Sequence, residues 1–176
     1  MTLPKRIEKY VTSHDLEIGY RGATACSAAG ITYRQLDYWA RTSLVEPSIR
    51  TASGSGTQRL YGFRDILVLK IVKRLLDAGV SLQNIRTAVD HLRNRGVTDL
   101  ERITLMSDGA SIYECTSADE IIDLLAGGQG VFGIAVGKVW HEVEGSLLSL
   151  QGEMNGEIIS GQSNDELSLR RKSKGA

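Results

Sequence analysis

The spacing of apolar and polar residues changes rhythm several times along the chain. The small-residue run ATACSAA at residues 23–29 suits a short helix, and Gly30 stops it. Thr32 stands three positions before Gln35, a T-x-x-Q capping box that opens a second helix over TYRQLDYWARTS. A short helix, a glycine turn and a capped helix outline a helix-turn-helix, with Ile31, Leu36, Leu44 and Val45 as its apolar side. After Pro47, PSIRTASGSGTQRLYGF offers strand-like pieces on either side of SGSG, a hairpin flanked by Arg50, Arg59 and Arg64. In RDILVLKIVKRLLDAG, Lys70, Lys73, Arg74 and Asp77 fall at i, i+3, i+4 and i+7. That leaves Ile66, Leu67, Leu69, Ile71, Val72, Leu75 and Leu76 for a wide buried face. Gly79 ends this helix, and Ser81 caps another lined by Leu82, Ile85, Val89 and Leu92, which runs to Gly96.

Beyond Gly96 the pattern turns mixed. ITLMSDGASIYEC predicts two short strands around Asp108-Gly109, and Ser117 with Glu120 caps a helix over SADEIIDLLAG. Glycines at 127, 128, 130, 133 and 137 surround VFGIAV, a strand or buried loop, and KVWHEVEGSLLSL predicts a last helix. Residues 1–19 carry no sustained period and read as a flexible arm. Residues 151–176 are dominated by Gly, Ser, Asn and Glu, end in RRKSKGA, and read as a disordered tail. The pattern therefore reads as mainly α, with a helix-turn-helix and hairpin unit at 20–95 and a small α+β module at 96–150.

Composition supports folding: 176 residues with 41% apolar and 24% charged content suit one ordinary domain or two small ones. No apolar run approaches the roughly 18 residues of a membrane span. The first residues, MTLPKRIEKYVTSHD, lack the apolar stretch of a secretion signal, so the expectation is a soluble, cytoplasmic protein. The net charge of zero hides a division. Residues 20–95 hold 12 basic and 5 acidic side chains, whereas residues 96–167 hold 2 and 13. The basic unit would attract a polyanion such as duplex DNA. The plainer alternative is that the two oppositely charged segments simply pair with each other.

The order of landmarks in residues 20–95 resembles the winged-helix DNA-binding domain of the MerR family of bacterial transcription regulators, and within it an actinobacterial MerR-like subgroup. Asp37-Tyr38-Trp39-Ala40 followed by Ser43-Leu44 stands where that family has R-Y-Y/W-E followed by G-L. Gln58-Arg59-Leu60-Tyr61 stands where its wing ends in G-Y-R-x-Y. The resemblance implies a homodimer on a pseudo-palindromic promoter site, acting by distorting promoter DNA or by contacting RNA polymerase. The acidic module would then serve dimerisation, an effector or a partner. Two departures stand out. Asp37 occupies an arginine position, so it points away from phosphates or pairs with Arg34 or Arg41. A hairpin beginning near Ile103 replaces the family's long dimerisation helix.

In that frame the helix from Thr32 enters the major groove, which admits one helix, with Tyr33 and Arg34 on base edges. Tyr38 and Arg41 lie further along and suit phosphates. In the wing, Arg50, Arg59, Tyr61 and Gln58 are candidates for backbone or minor-groove contact. Other residues are assigned plainer roles: Trp39 to packing, Lys70, Lys73 and Arg74 to a solvated stripe, and His91 to a helix surface. Thr51, like Gln58, divides between DNA contact and plain surface.

Signals for chemistry fail their context tests. Residues 128–133 satisfy G-x-G-x-x-G, but a predicted helix precedes them where a dinucleotide site needs a strand. His141-Glu142 has no second histidine four positions on. His14, His91 and His141 are scattered, and Cys26 and Cys115 read as core fillers. No enzyme, cofactor, metal or membrane role is expected. The competing reading makes the acidic unit the active part, as a protein- or small-molecule-interaction module.

Overall fold

The computed structural model describes residues 18–54, 56–127 and 131–150, together with the backbone of residues 153–154 and 157–158. The predicted arm at 1–19 lies outside these residues apart from Ile18 and Gly19. So do the glycine turn at 128–130 and most of the predicted tail. Strand β1 (Ile18–Arg21) leads into helices α1 (Gly22–Ala29) and α2 (Tyr33–Arg41), then strand β2 (Leu60–Tyr61), α3 (Phe63–Asp77) and α4 (Leu82–Arg93). The second half adds α5 (Val97–Leu100), β3 (Thr104–Ser107), β4 (Ile112–Cys115), α6 (Ala118–Ala126), β5 (Phe132–Ala135) and α7 (Val136–Leu148). Two short strands follow, β6 (Glu153–Met154) and β7 (Glu157–Ile158), within the stretch predicted as tail.

Local chemistry explains most of the boundaries. Gly30 takes the left-handed conformation at φ 72° and ends α1, its N–H donating to Cys26 O. Thr32 Oγ1 then accepts from Gln35 N at 3.2 Å, and Gln35 Oε1 accepts from Thr32 N at 3.0 Å, completing the predicted box. Ser81 and Ser117 cap α4 and α6 through Asn84 N and Glu120 N. The β3–β4 turn forms where Asp108-Gly109 predicts it, with Gly109 at φ 90°.

Two antiparallel sheets result, one ordered β2-β1-β6-β7 and one ordered β4-β3-β5. β1 pairs Tyr20 with Tyr61 and Arg21 with Leu60, so the base of the wing is a continuation of the chain entering α1. The wing is less regular than predicted: besides β2 there is one isolated bridge among the described residues, Arg50 to Leu60.

The charge division does not divide the core. One buried cluster runs from Ala25 and Leu36 through Leu67 and Leu75 to Val136, Val139 and Val143. α7 buries Val136, Val139, Val143 and Leu147, positions that share one helical stripe, against α1 and α3. Phe63 of α3 meets Trp140 of α7 with ring centroids 4.7 Å apart. Here the predicted solvated stripe on α3 is corrected. Lys70 and Arg74 face α7 and pair with Glu142 at 3.6 and 2.6 Å, and Lys73 pairs with Asp77. A polar stripe recognised by helical period alone does not say whether water or another element covers it.

α7 fits so closely that Gly137 has no room for a side chain. An added Cβ would lie 2.5 Å from the carbonyl oxygen of Glu101, which belongs to the backbone and cannot swing aside. Gly137→Ala is therefore expected to cost about 1–3 kcal/mol. Gly145, in the same helix with open space around it, is the control. Gly145→Ala should be stabilising by up to about 1 kcal/mol, and urea unfolding of the two variants reads both signs.

Candidate nucleic-acid interface

α2 presents its first turn to solvent. Thr32 and Arg34 are exposed and Tyr33 is 65% exposed, while Leu36 and Trp39 on the opposite side are each 2% exposed. Trp39 thus packs inward as predicted. The Tyr33 ring lies over the start of α1, because Gly22 leaves space there: a Cβ on Gly22 would come 3.1 Å from Tyr33 Cε2. Tyr38 and Arg41 are exposed one and two turns further along.

Asp37 occupies the arginine position of the family pattern. Its carboxylate accepts from Arg41 Nε at 2.9 Å and from Arg59 Nη1 at 2.8 Å. The Arg41 pairing is one of the two predicted. The Arg59 pairing spans 22 residues and ties the root of the wing to the middle of α2. The Arg59 hydrogen bond and the two nearby positive charges hold the Asp37 carboxyl below its usual range, against a smaller opposing effect of burial. A lowered pKa means that this tether is complete above the ordinary carboxylate range and is lost as pH falls through the depressed value. Asp37→Asn removes a negative charge from the surface facing a phosphate backbone. Its expected result is tighter binding to random duplex at low salt, by up to about fivefold, read by fluorescence anisotropy.

The wing residues separate. Gln58 and Thr51 are exposed, and Arg50 folds back so that Nε donates to Gln58 O at 3.0 Å. Tyr61 is a correction: its side chain is 0% exposed and sits in the main cluster, so it is no part of this surface. β2 places it where α1, β1 and α3 converge, and burial pushes its phenol up to about 12. Arg64 also turns away, donating to Leu92 O and Arg93 O at the end of α4.

Most basic residues of this unit are engaged inside the molecule. Arg86 and Arg93 bind carbonyls beyond α2, Lys70 binds Ala28 O, and Arg95 pairs with Glu114. The paired-segment alternative therefore holds in part, through Glu142 and Glu114. Arg34 differs: it makes no hydrogen bond or ion pair among the described residues, and it stands on the exposed first turn of α2. Its place near the start of α2 already separates it from Arg41 in the sequence; that it lacks a partner, where Arg41 pairs with Asp37, is visible only in the folded arrangement.

Among the described residues no three His, Cys, Asp or Glu side chains are grouped so as to hold a metal ion, and no helix is long and apolar enough to cross a membrane. Cys115 is buried and Cys26 half-buried, and desolvation raises both thiols.

A capped helix with a bare first turn, a preceding helix set by a glycine turn, and a wing braced to the same face define a winged helix-turn-helix DNA-binding protein. The family model for MerR HTH regulatory proteins matches residues 20–92. HTH-type transcriptional regulators of Mycobacterium tuberculosis and Mycobacterium bovis are each 67% identical to the chain over 157 residues, covering 88% of it and 69% of their own length. HmrR of Sinorhizobium medicae is 29% identical over 83 residues, covering 46% of this chain and 54% of its own. The chain belongs to the MerR family of transcriptional regulators and is a DNA-binding member of it.

Proposed function

We propose that the protein regulates transcription by reading a specific promoter sequence through the first turn of α2, as a binding protein and not an enzyme. Tyr33 and Arg34 take base edges in the major groove, beside the Thr32 cap. A guanidinium donates two parallel bonds to guanine, which makes Arg34 the sequence-reading residue. Tyr38 and Arg41 meet phosphates and fix register, and Arg50 and Gln58 reach the backbone from the wing. Arg59 acts through Asp37, holding the wing against α2, and Tyr61 anchors the wing's root in the core.

Two copies engage a pseudo-palindromic site, with half-sites about 34–36 Å or a multiple apart. The consequence for transcription is distortion of the promoter or contact with RNA polymerase, in the cytoplasm where the nucleoid lies. Residues 96–150 form the dimerisation, effector or partner surface, since their negative charge repels phosphates.

The observation that carries this reading is Arg34: a cation with no partner among the described residues, on the exposed end of a capped helix. Its test is titration of the full chain into random duplex at low and raised salt, followed by selection of a preferred duplex from a randomised pool. A steep fall in affinity with salt and a recovered two-fold sequence are expected; salt-independent behaviour would overturn the reading.

A cleft of about 310 Å³ between α4 and the β3–β4 hairpin favours a second reading. It is lined by Asn84, Thr87, His91, Leu105, Ile112 and Glu114. Its size is at the lower end for small-molecule sites, so the acidic module would take a small ligand there. Binding of a small ligand in this cleft, with duplex binding independent of salt and unaffected by Arg34→Ala, would favour this alternative.

A further inference from the structure

We infer that Arg86 and Arg93 of α4 are positioning residues for DNA reading: they hold the C-terminal end of α2 and so set the angle at which its first turn meets the groove. The inference rests on α2 being the helix that enters DNA.

The start of α2 is fixed by Gly30 and the Thr32–Gln35 box. Its end is held differently. Thr42 N donates to Tyr38 O, and Leu44 N and Val45 N both donate to Trp39 O, at 2.9 and 3.2 Å. Ser43 between them takes φ 55°, a left-handed conformation that non-glycine residues adopt only where surroundings impose it. This reversal turns two carbonyls away from the helix, and α4 meets both of them. Arg86 Nη1 donates to Thr42 O at 3.0 Å, and Arg93 Nη2 donates to Leu44 O at 2.7 Å.

Arg86 and Arg93 are seven positions apart, two helical turns, so they emerge from one face of α4 as a two-point clasp. Cations at carbonyls ending a helix also suit its dipole. The clasp stands on a firm base, because Ile85, Ala88, Val89 and Leu92 of α4 are all in the core. Arg64 of α3 in turn binds Leu92 O and Arg93 O, holding the backbone from which the second arm projects.

A carbonyl does not neutralise a guanidinium, and of the two only Arg93 has a carboxylate near it among the described residues, Asp90 at 3.9 Å. Contact with phosphate is therefore the competing role, and the two roles separate by salt dependence. A phosphate contact acts on every duplex and contributes about one unit of salt slope. A positioning residue acts on the geometry of base contact, so its loss falls on the preferred duplex alone.

The test uses the full chain carrying Arg86→Ala and Arg93→Ala together, titrated against the duplex selected by the wild type and against random duplex, over a range of salt. Affinity for the selected duplex should fall about tenfold, random binding should hold within about twofold, and the salt slope should stay unchanged. A slope lowered on both duplexes, or an unaltered ratio between them, would overturn the inference. Should the double variant fail to fold by circular dichroism, Arg86→Ala alone removes the single bond to Thr42 O and is titrated in the same way. It should lower the ratio between the two duplexes at unchanged slope, and a wild-type ratio would be equally fatal. Failure of the underlying reading is visible separately, as absence of duplex binding by the wild type.

Discussion

Arg34→Ala is expected to weaken binding to the preferred duplex by about 5- to 150-fold, the equivalent of about 1–3 kcal/mol, while leaving the fold intact. Stability is unaffected because Arg34 is exposed and makes no contact among the described residues that its loss would break. Discrimination suffers because a bidentate arginine–guanine pair is lost at one position of each half-site. Affinity for random duplex should drop far less, with a salt slope lower by no more than about one. Arg34→Lys keeps the charge and loses the fork, so it should recover the random binding but not the sequence preference. Competition of selected against random duplex, monitored by anisotropy, reads all three. Equal losses on both duplexes would make Arg34 a phosphate contact and move base reading elsewhere on α2.

The second large effect is on stability. Asp65→Ala should destabilise the protein by about 2–4 kcal/mol, read as a lowered urea midpoint at constant m-value. One carboxylate oxygen of Asp65 accepts from Ser48 N at 2.8 Å, Ser48 Oγ at 2.7 Å and Gly62 N at 2.8 Å. It thereby caps α3 and pins the irregular segment after α2 to the end of β2 where α3 begins, the two sides of the wing's base. Removing it leaves backbone donors without a partner in a largely enclosed place, which costs more than the bonds themselves contribute. Burial raises the Asp65 carboxyl above its ordinary value, and the three donors pull it part of the way back. A raised acid pKa means that this group's ionisation disfavours the folded state. Its contribution is therefore largest below the ordinary carboxylate range and declines as pH rises through the raised value. Asp65→Asn keeps an acceptor oxygen without the buried charge and should be the milder variant.

Features that depend on neighbours along the chain are legible in the amino-acid sequence alone. The Thr32–Gln35 box, the stops at Gly30 and Gly79, the Ser81 and Ser117 caps and the Asp108-Gly109 turn each need only a few consecutive residues to form. The ordering of these signals is enough to recognise the family. Features that depend on what folds back are not legible in this way. Tyr61 ends a motif that also holds Arg59, and nothing local says that one residue faces the core and the other faces Asp37. The Asp37–Arg59 tether, the placing of Glu142 over Lys70 and Arg74, and the clasp from α4 all join residues 22 or more positions apart. Their signal is an unexplained charge rather than a pattern: Asp37 at an arginine position stands out as an anomaly, and Arg59 is its explanation. The total of basic residues points to DNA, but most of those cations are engaged within the molecule, so counting them overstates the surface available to phosphates.

The single core that passes from α1 and α3 into α7 has a practical consequence for anyone building hybrid regulators. Severing the chain after α4, to graft the reading head onto a foreign sensor, would strip away the seat of Val136, Val139 and Val143 and leave a greasy scar on the head. A transplantable head must carry α7 with it, or have that scar redesigned.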